Sequence, residues 1–238
     1  PATAESSSAS QIEAGRELFL VGCASCHGLN AQGIETKVDH DGKPGNYGPS
    51  LIGVGAASVG FQMETGRMPL AKTAPQAPVK PNTYSQEEKD QIAAYVASLA
   101  PGPARPSDEF LDWERVDKEG VAKGGEFFRT NCTACHNSTG QGGALPEGRY
   151  APSLVGVEPI HIYEAMLTGP QQMPVFSDAA MTPEEKLQVI AYIKRVQEQP
   201  TQGGIGGGGY GPVVDGMFVW IIGIGGLTGF AVWIGMHG

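Results

Sequence analysis

The chain has 238 residues, long enough for two ordinary domains, and carries a formal net charge of −9. This acidic balance argues against nucleic acid as a partner, since nucleic-acid binding needs a basic footprint. Glycine contributes 35 residues and proline 18, while aromatic residues make up only 8% of the chain. Side chains therefore supply little apolar surface for two cores, and large flat cofactors would supply the surface that is missing.

The sequence contains an internal repeat with an offset of about 109 residues. Each copy has a Gly/Phe opening, a Cys-x-x-Cys-His motif, a Pro-Ser-Leu loop, a Met-Pro loop and a closing amphipathic segment. The closing segments predict helices, because their apolar residues recur at three- and four-residue steps and capping boxes start them at Ser85 and Thr182. Proline at the first helical position strengthens the second start. The pattern predicts a mainly α chain with duplicated domains at residues 10–100 and 120–199.

Three other segments complete the predicted organisation. Residues 101–119 begin with prolines and then carry six acidic residues, which predicts a solvated, partly stiffened connector. Residues 200–212 are rich in glycine and predict a flexible tether. Residues 213–236 include a long uncharged run that predicts a transmembrane helix, with a buried core helix as the alternative. Glycines in this run favour close packing on another helix, although glycine is also common in membrane spans.

All four cysteines fall in the two Cys-x-x-Cys-His motifs, which favours covalent haem c. Two cysteines three residues apart can form thioethers to the porphyrin, and the adjacent histidine projects onto the iron. A redox-active pair or half of a zinc site is the alternative, but no other cysteine is present to complete zinc sites. We therefore predict two haem c groups on these residues: Cys23, Cys26 and His27 in the first copy, and Cys132, Cys135 and His136 in the second.

A second axial ligand is expected downstream of each motif. Met68 and Met173, each followed by proline, stand at corresponding places in the two copies, and a thioether opposite histidine raises the haem potential. The competitors Met63 and Met166 lie in segments that favour helix, so apolar packing suits them better. Two filled axial positions leave no site for a small substrate, which indicates outer-sphere electron transfer. His40 and His161 have no counterparts in the other copy and are expected to be surface or loop residues and not ligands. Met181, directly before the helix cap Thr182, is expected to be a packing residue.

Each half resembles a class I cytochrome c domain. In that family the loop proline, here Pro49 and Pro152, offers its carbonyl oxygen to the ligand imidazole and so sets the orientation of the ring. The insert at residues 37–46 of the first copy has no counterpart in the second. The whole arrangement resembles the di-haem cytochrome cc subunit of the actinobacterial cytochrome bcc complex, through motifs such as Thr65-Gly-Arg-Met-Pro69, Thr168-Gly-Pro-Gln-Gln-Met-Pro174 and Trp233-Ile-Gly235.

The resemblance implies the function and the partners. The chain is expected to be the electron-transfer subunit of a menaquinol–cytochrome c reductase, which takes electrons from the cytochrome b and Rieske iron–sulfur subunits. It would pass them to cytochrome c oxidase in place of a soluble cytochrome c. It would lie in the cytoplasmic membrane among lipid, with the haem domains on the outer side. The family's N-terminal hydrophobic segment has no counterpart here, which predicts cleavage or a missing preceding segment.

Two rival functions stay open. A membrane-anchored di-haem shuttle of the cytochrome c4 type would bind its partners transiently and purify alone. A catalytic di-haem protein, such as a peroxidase, would need one iron with an open axial site, and the two matched Met-Pro loops argue against it.

Overall fold

The computed structural model describes residues 8–36, 45–71, 74, 76–198 and 212–237 of the chain. Helices predominate in these residues, as the sequence predicted. The predictions made for His40, for most of the insert at residues 37–46 and for nearly all of the tether at residues 200–212 lie outside the described residues.

The two halves repeat one order of elements. The first half contains α1 (Ala9–Gly22), α2 (Ala24–His27), β1 (Ile34–Thr36), β2 (Gly45–Gly48), α3 (Gly55–Glu64) and α4 (Gln86–Leu99). The second half contains α5 (Lys118–Asn131), α6 (Thr133–His136), β3 (Gly143–Ala144), β4 (Tyr150–Ala151), α7 (Pro159–Thr168) and α8 (Pro183–Glu198). Each pair of short strands is antiparallel, β1 with β2 and β3 with β4. The strands are too short to form a sheet layer, so the packing is helix on helix.

The first and last long helices of each half pack closely on one another. Gly15 of α1 faces the backbone of α4, and a side chain on Gly15 would overlap the carbonyl oxygen of Gln91. Gly124 of α5 faces α8 in the same way, against the carbonyl oxygen of Gln188. Aromatic rings pack at the same crossings, Phe19 on Tyr95 and Phe128 on the partly buried Tyr192. The repeated glycine of the opening motif is therefore explained by the close approach of two helix backbones.

Both predicted capping boxes are present. The Ser85 hydroxyl accepts a hydrogen bond from the Glu88 amide, and the Glu88 carboxylate accepts one from the Ser85 amide, before α4 begins. Thr182 and Glu185 exchange the same pair of bonds before α8. The sequence signal for the starts of these two helices is confirmed.

The connector was predicted to be solvated, and this was wrong for its first part. The carbonyl oxygen of Pro103 accepts a hydrogen bond from the Ala57 amide at 3.1 Å, so the connector lies against α3. Pro106 is buried, and the acidic residues after it are mostly exposed. Short 3₁₀ turns follow at Asp108–Phe110 and Trp113–Arg115, and Trp113 packs against the core of the second half. The prolines rigidify a segment that packs between the two halves.

The C-terminal segment is helical. It comprises α9 (Pro212–Phe218), a π-helical stretch (Val219–Ile224) and α10 (Gly225–His237). Within it, Val214–His237 is long and apolar enough to cross a membrane, with a mean hydropathy of 2.0, and none of the most apolar stretch is buried in the protein. At about 1.5 Å per residue it spans roughly 36 Å, more than the hydrocarbon core of a bilayer. Within this chain the segment is therefore not a buried core helix, the alternative that the sequence left open.

Candidate haem-binding sites

Both Cys-x-x-Cys-His motifs form a tight helical turn at the end of a long helix. Cys23 ends α1 and begins α2, and its carbonyl oxygen accepts hydrogen bonds from the amides of Cys26 and His27 at 3.1 and 3.0 Å. Cys132 does the same between α5 and α6, for the amides of Cys135 and His136 at 3.2 and 2.8 Å. The turn brings both thiols and the imidazole of each motif to one place.

The first cysteine of each motif lies where burial disfavours the thiolate. None of the four cysteines forms a disulfide in the described chain. Burial raises the pKa of Cys23 to about 11, and burial likewise raises the pKa of Cys132 to about 11. A redox-active or metal-binding cysteine needs an accessible thiolate, which these environments disfavour. The environments of Cys23 and Cys132 therefore disfavour the redox-active and metal-binding alternatives.

A proline carbonyl orients each imidazole. Nδ1 of His27 donates to the carbonyl oxygen of Pro49 at 2.7 Å, and Nδ1 of His136 donates to that of Pro152 at 3.0 Å. With the proton on Nδ1, the lone pair of Nε2 is available to a metal. Burial also lowers the pKa of His136, which favours the neutral imidazole that metal ligation requires.

The methionines fall into two groups. Met63 in α3 and Met166 in α7 are each 3% exposed and belong to the two cores. Met68 and Met173 lie in the loops that follow these helices and are partly buried. The Met68 loop is held by two hydrogen bonds, from the Met68 amide to Gln62 at 2.9 Å and from the Asn82 side chain to the Met68 carbonyl at 3.0 Å.

A cavity of about 710 Å³ opens beside the second motif. Its walls carry the thiols, imidazole and thioether predicted to hold the second haem, from Cys132, Cys135, His136 and Met173. Apolar side chains, among them Phe128 and Ile162, line the rest. Two thiols, an oriented imidazole and a thioether around a large apolar space are the groups that a covalently attached haem requires. Arg149 also lines this cavity, and its buried Nε has no hydrogen-bond partner among the described residues. An unpaired guanidinium nitrogen at the wall fits a carboxylate-bearing cofactor.

The wall of this cavity is completed by the first half of the chain, which the sequence did not predict. Gln76 makes two hydrogen bonds with the backbone of Tyr150, donating to its carbonyl at 2.8 Å and accepting from its amide at 2.9 Å. Further residues of the first half, among them Phe61, Arg67 and Lys80, line the same cavity. The loop that carries Met68 is thus packed against the second site.

A charged cluster joins the two halves beside this wall. Arg105 of the connector lies 2.6 Å from a Glu64 carboxylate oxygen and 3.0 Å from one of Glu164. His161 was expected to be a surface or loop residue, and this was wrong, since it lies in α7 and its Nε2 donates to Glu64 at 3.0 Å. The sequence around His161 could not have shown this contact, because the carboxylate that it binds belongs to the other half of the chain.

The pKa values of the two carboxyls in the cluster, Glu64 and Glu164, are shifted in opposite directions. Burial alone would raise the pKa of Glu64, but the contacts with His161 and Arg105 outweigh it and lower the pKa to about 2. Glu164 is fully buried, and burial raises its pKa to about 8 against the attraction of Arg105. Although Arg105 Nε is close to Glu164, neither carboxylate oxygen of Glu164 has a well-directed hydrogen bond among the described residues. Around neutral pH the cluster therefore favours an ionised Glu64 beside a protonated Glu164.

Duplicated helical domains, each with a Cys-x-x-Cys-His turn and an oriented imidazole, define the class of tandem c-type cytochromes. Family models agree: "Cytochrome c" matches residues 12–100, and "Cytochrome C oxidase, cbb3-type, subunit III" matches residues 119–193. The chain is 42% identical to the cytochrome bc1 complex cytochrome c subunit of Corynebacterium diphtheriae, covering 98% of this chain and 84% of that one. It is 44% identical to the corresponding subunit of Mycobacterium tuberculosis, covering 98% and 81%.

The chain therefore belongs to the family of cytochrome c subunits of the cytochrome bc1 complex, and it carries two covalently bound haem c groups. A weaker similarity, 31% identity over 55% of this chain and 40% of the other, links it to a cbb3-type cytochrome c oxidase subunit of Sinorhizobium medicae. The predicted class, fold and cofactors are confirmed.

Proposed function

We propose that the chain is the di-haem electron-transfer subunit of a respiratory menaquinol–cytochrome c reductase. The observation that carries the proposal is the matched pair of donor sets, each with a thiol pair and an imidazole held by a proline carbonyl. Membership of the bc1 cytochrome c subunit family over nearly the whole chain supports it. Each haem would supply a one-electron iron couple, and the chain itself would turn over no small substrate.

We assign the site residues as the sequence predicted them. His27 and Met68 would ligate the first iron, and His136 and Met173 the second. Four cysteines would form the thioethers: Cys23, Cys26, Cys132 and Cys135. Pro49 and Pro152 would act through the imidazoles, since their carbonyls hold Nδ1 and leave Nε2 free. The haem domains would comprise residues 10–100 and 120–199, with the connector at 101–119, the tether at 200–212 and the span at 213–236.

The partners are proposed from the same resemblance. Electrons would enter from the cytochrome b and Rieske iron–sulfur subunits and leave to cytochrome c oxidase, so that no soluble cytochrome c is needed. The exposed apolar helix at Val214–His237 would anchor the chain in the cytoplasmic membrane. The haem domains would lie outside, because haem c is attached there in this family.

The proposal is tested by isolating the tagged chain from its native membranes in mild detergent. The preparation is analysed for copurifying subunits and for oxygen consumption driven by a menaquinol analogue. We expect cytochrome b, the Rieske protein and an oxidase to copurify, with activity that inhibitors of quinol oxidation abolish.

A chain with both motif histidines replaced, H27A/H136A, serves as the matched control, because it keeps the membrane helix but loses the proposed iron ligands. It should support no quinol-driven oxygen consumption. A wild-type chain that is recovered alone, with both haems but without quinol activity, contradicts the proposal and favours the anchored shuttle.

A further inference from the structure

Arg67 is a buried cation in the loop that carries Met68. Arg67 is only 9% exposed, and its guanidinium carbon lies 4.8 Å from the centre of the Phe61 ring. It forms no ion pair with a carboxylate among the residues that the structure describes, unlike Arg105 nearby. A buried charge without a counter-charge is costly, so this position calls for an anion that the chain itself does not provide.

The guanidinium belongs to the cavity beside the second Cys-x-x-Cys-His motif. Arg67 lines that cavity together with Arg149 of the second half, whose buried Nε has no hydrogen-bond partner in the described chain. Tyr150 lies on the same cavity wall. The charged lining is cationic on balance: Arg67, Lys80, Lys89 and Arg149 against Glu64 and Glu158. Glu64 is already paired with Arg105 at 2.6 Å, and on the other side an Arg149 terminal nitrogen lies 3.4 Å from the exposed Glu147 carboxylate, so Arg67 is the buried cation of the lining that lacks a carboxylate partner among the described residues.

The loop is built to hold this arginine in place. Gly66 has φ +71°, and a side chain there would overlap the carbonyl oxygen of Lys80. The Lys80 ammonium in turn donates to the Gly66 carbonyl at 3.0 Å, and the next residue, Met68, is fixed through Asn82. The glycine therefore allows the sharp turn that brings Arg67 to one cavity while Met68 belongs to the other site.

We propose that Arg67, a residue of the first domain, is a binding residue of the second haem site, where it and Arg149 pair with the haem propionates. Guanidinium groups bind carboxylates well because their donors are planar and paired. The inference rests on the proposed haem attachment at Cys132, Cys135 and His136, but it does not depend on the identity of the partners.

The position of Arg67 also has an electronic consequence. Arg67 and Met68 are consecutive, so the loop that carries the proposed ligand of the first iron also lines the cavity of the second site. A positive charge near an iron favours the state with the additional electron, and this effect is large where water is excluded. As a binding residue of the second site, Arg67 would therefore raise the potential of the second haem.

The test is a spectroelectrochemical titration of the purified, full-length holoprotein. Wild type is compared with R67Q, with R67M, which keeps the apolar stem on Phe61, and with R67K, which keeps the charge. R16Q is the control, because Arg16 is half exposed on α1 and pairs only with Glu13 in the described chain. The second haem is assigned by repeating the titrations in an M173H background, in which loss of the thioether lowers its potential.

We expect R67Q and R67M to lower the midpoint potential of the second haem more than that of the first. R67K should retain most of the wild-type value, and R16Q should not change it. An unchanged second potential in both neutral variants, or a shift confined to the first haem, overturns the inference. A pyridine haemochrome assay on every variant separates this result from failure of the proposed function, which would appear as fewer than two haems in wild type.

Discussion

At the scale of single residues, the two methionine pairs have different environments. Met63 and Met166 fill cores, whereas Met68 and Met173 lie in loops with a defined backbone. The distinction was predictable from the sequence. Met68 and Met173 each precede a proline, which disfavours the helical conformation, whereas Met63 and Met166 lie in segments that favour helix. By contrast, the prediction that His161 is a surface or loop residue failed, because its hydrogen-bond partner, Glu64, is distant in the sequence.

Replacing Met173 with alanine is expected to remove one axial ligand and leave the haem attached through its cysteines. The ferric sulfur-to-iron charge-transfer absorption should fall by about half, since one of two such bonds is lost, and the potential of that haem should drop. Optical spectroscopy with a redox titration measures both effects. M166L is the matched control, and an M173A spectrum identical to wild type would contradict the assignment.

Glu164 is expected to make stability depend on pH. Its pKa of about 8 in the folded chain lies above the ordinary value of 4.5, so the stability that its protonation contributes is present at low pH and is lost as the pH rises through about 8. Glu64, with its pKa lowered to about 2, stays ionised throughout this range. The free energy of unfolding should fall by up to about 1.4 kcal/mol per pH unit for one proton.

Denaturant unfolding of the holoprotein between about pH 6 and about pH 9 measures this slope. E164Q should have a smaller slope than wild type, because glutamine is neutral at every pH. Equal slopes in the two proteins would mean that Glu164 does not release a proton in this range.

At the scale of elements, the helix crossings explain the glycines of the repeat. Gly124 to alanine should destabilise the second domain by roughly 1–3 kcal/mol, because the added carbon overlaps the Gln188 carbonyl and forces the helices apart. Helix propensity alone would predict a gain of about 1 kcal/mol, so the sign of the change separates the two effects. E126A, at an exposed position of α5, should leave the unfolding midpoint nearly unchanged.

Elements with a local signal were predicted from the sequence, and the contacts between them were not. The capping boxes, the Cys-x-x-Cys-His turns and the apolar span are read from neighbouring residues. The strands were missed because two to four residues carry no readable alternation. The packing of Pro103 on α3 and the hydrogen bonds of Gln76 to Tyr150 join residues that are distant in the sequence. The spacing of apolar residues along the chain does not predict such contacts.

At the scale of the whole molecule, the exposed C-terminal helix should determine the location of the chain. A version ending at residue 198, exported and matured like the full chain, should keep both haems and leave the membrane fraction for the aqueous one. Its reduced absorption spectrum should match that of the full chain, since none of the described haem-site residues lies beyond residue 198. Fractionation with haem staining measures both, and retention in the membrane would point to another anchor.

The cavity wall shared between the halves bears on how the duplication has diverged. A newly duplicated domain is self-sufficient, and either copy can be lost, exchanged or expressed alone. Here the site of the second copy takes Gln76 at its edge and Phe61, Arg67 and Lys80 in its lining from the first copy. A substitution in the loop around Met68 therefore changes the surroundings of both sites, and a change in one half is felt in the other.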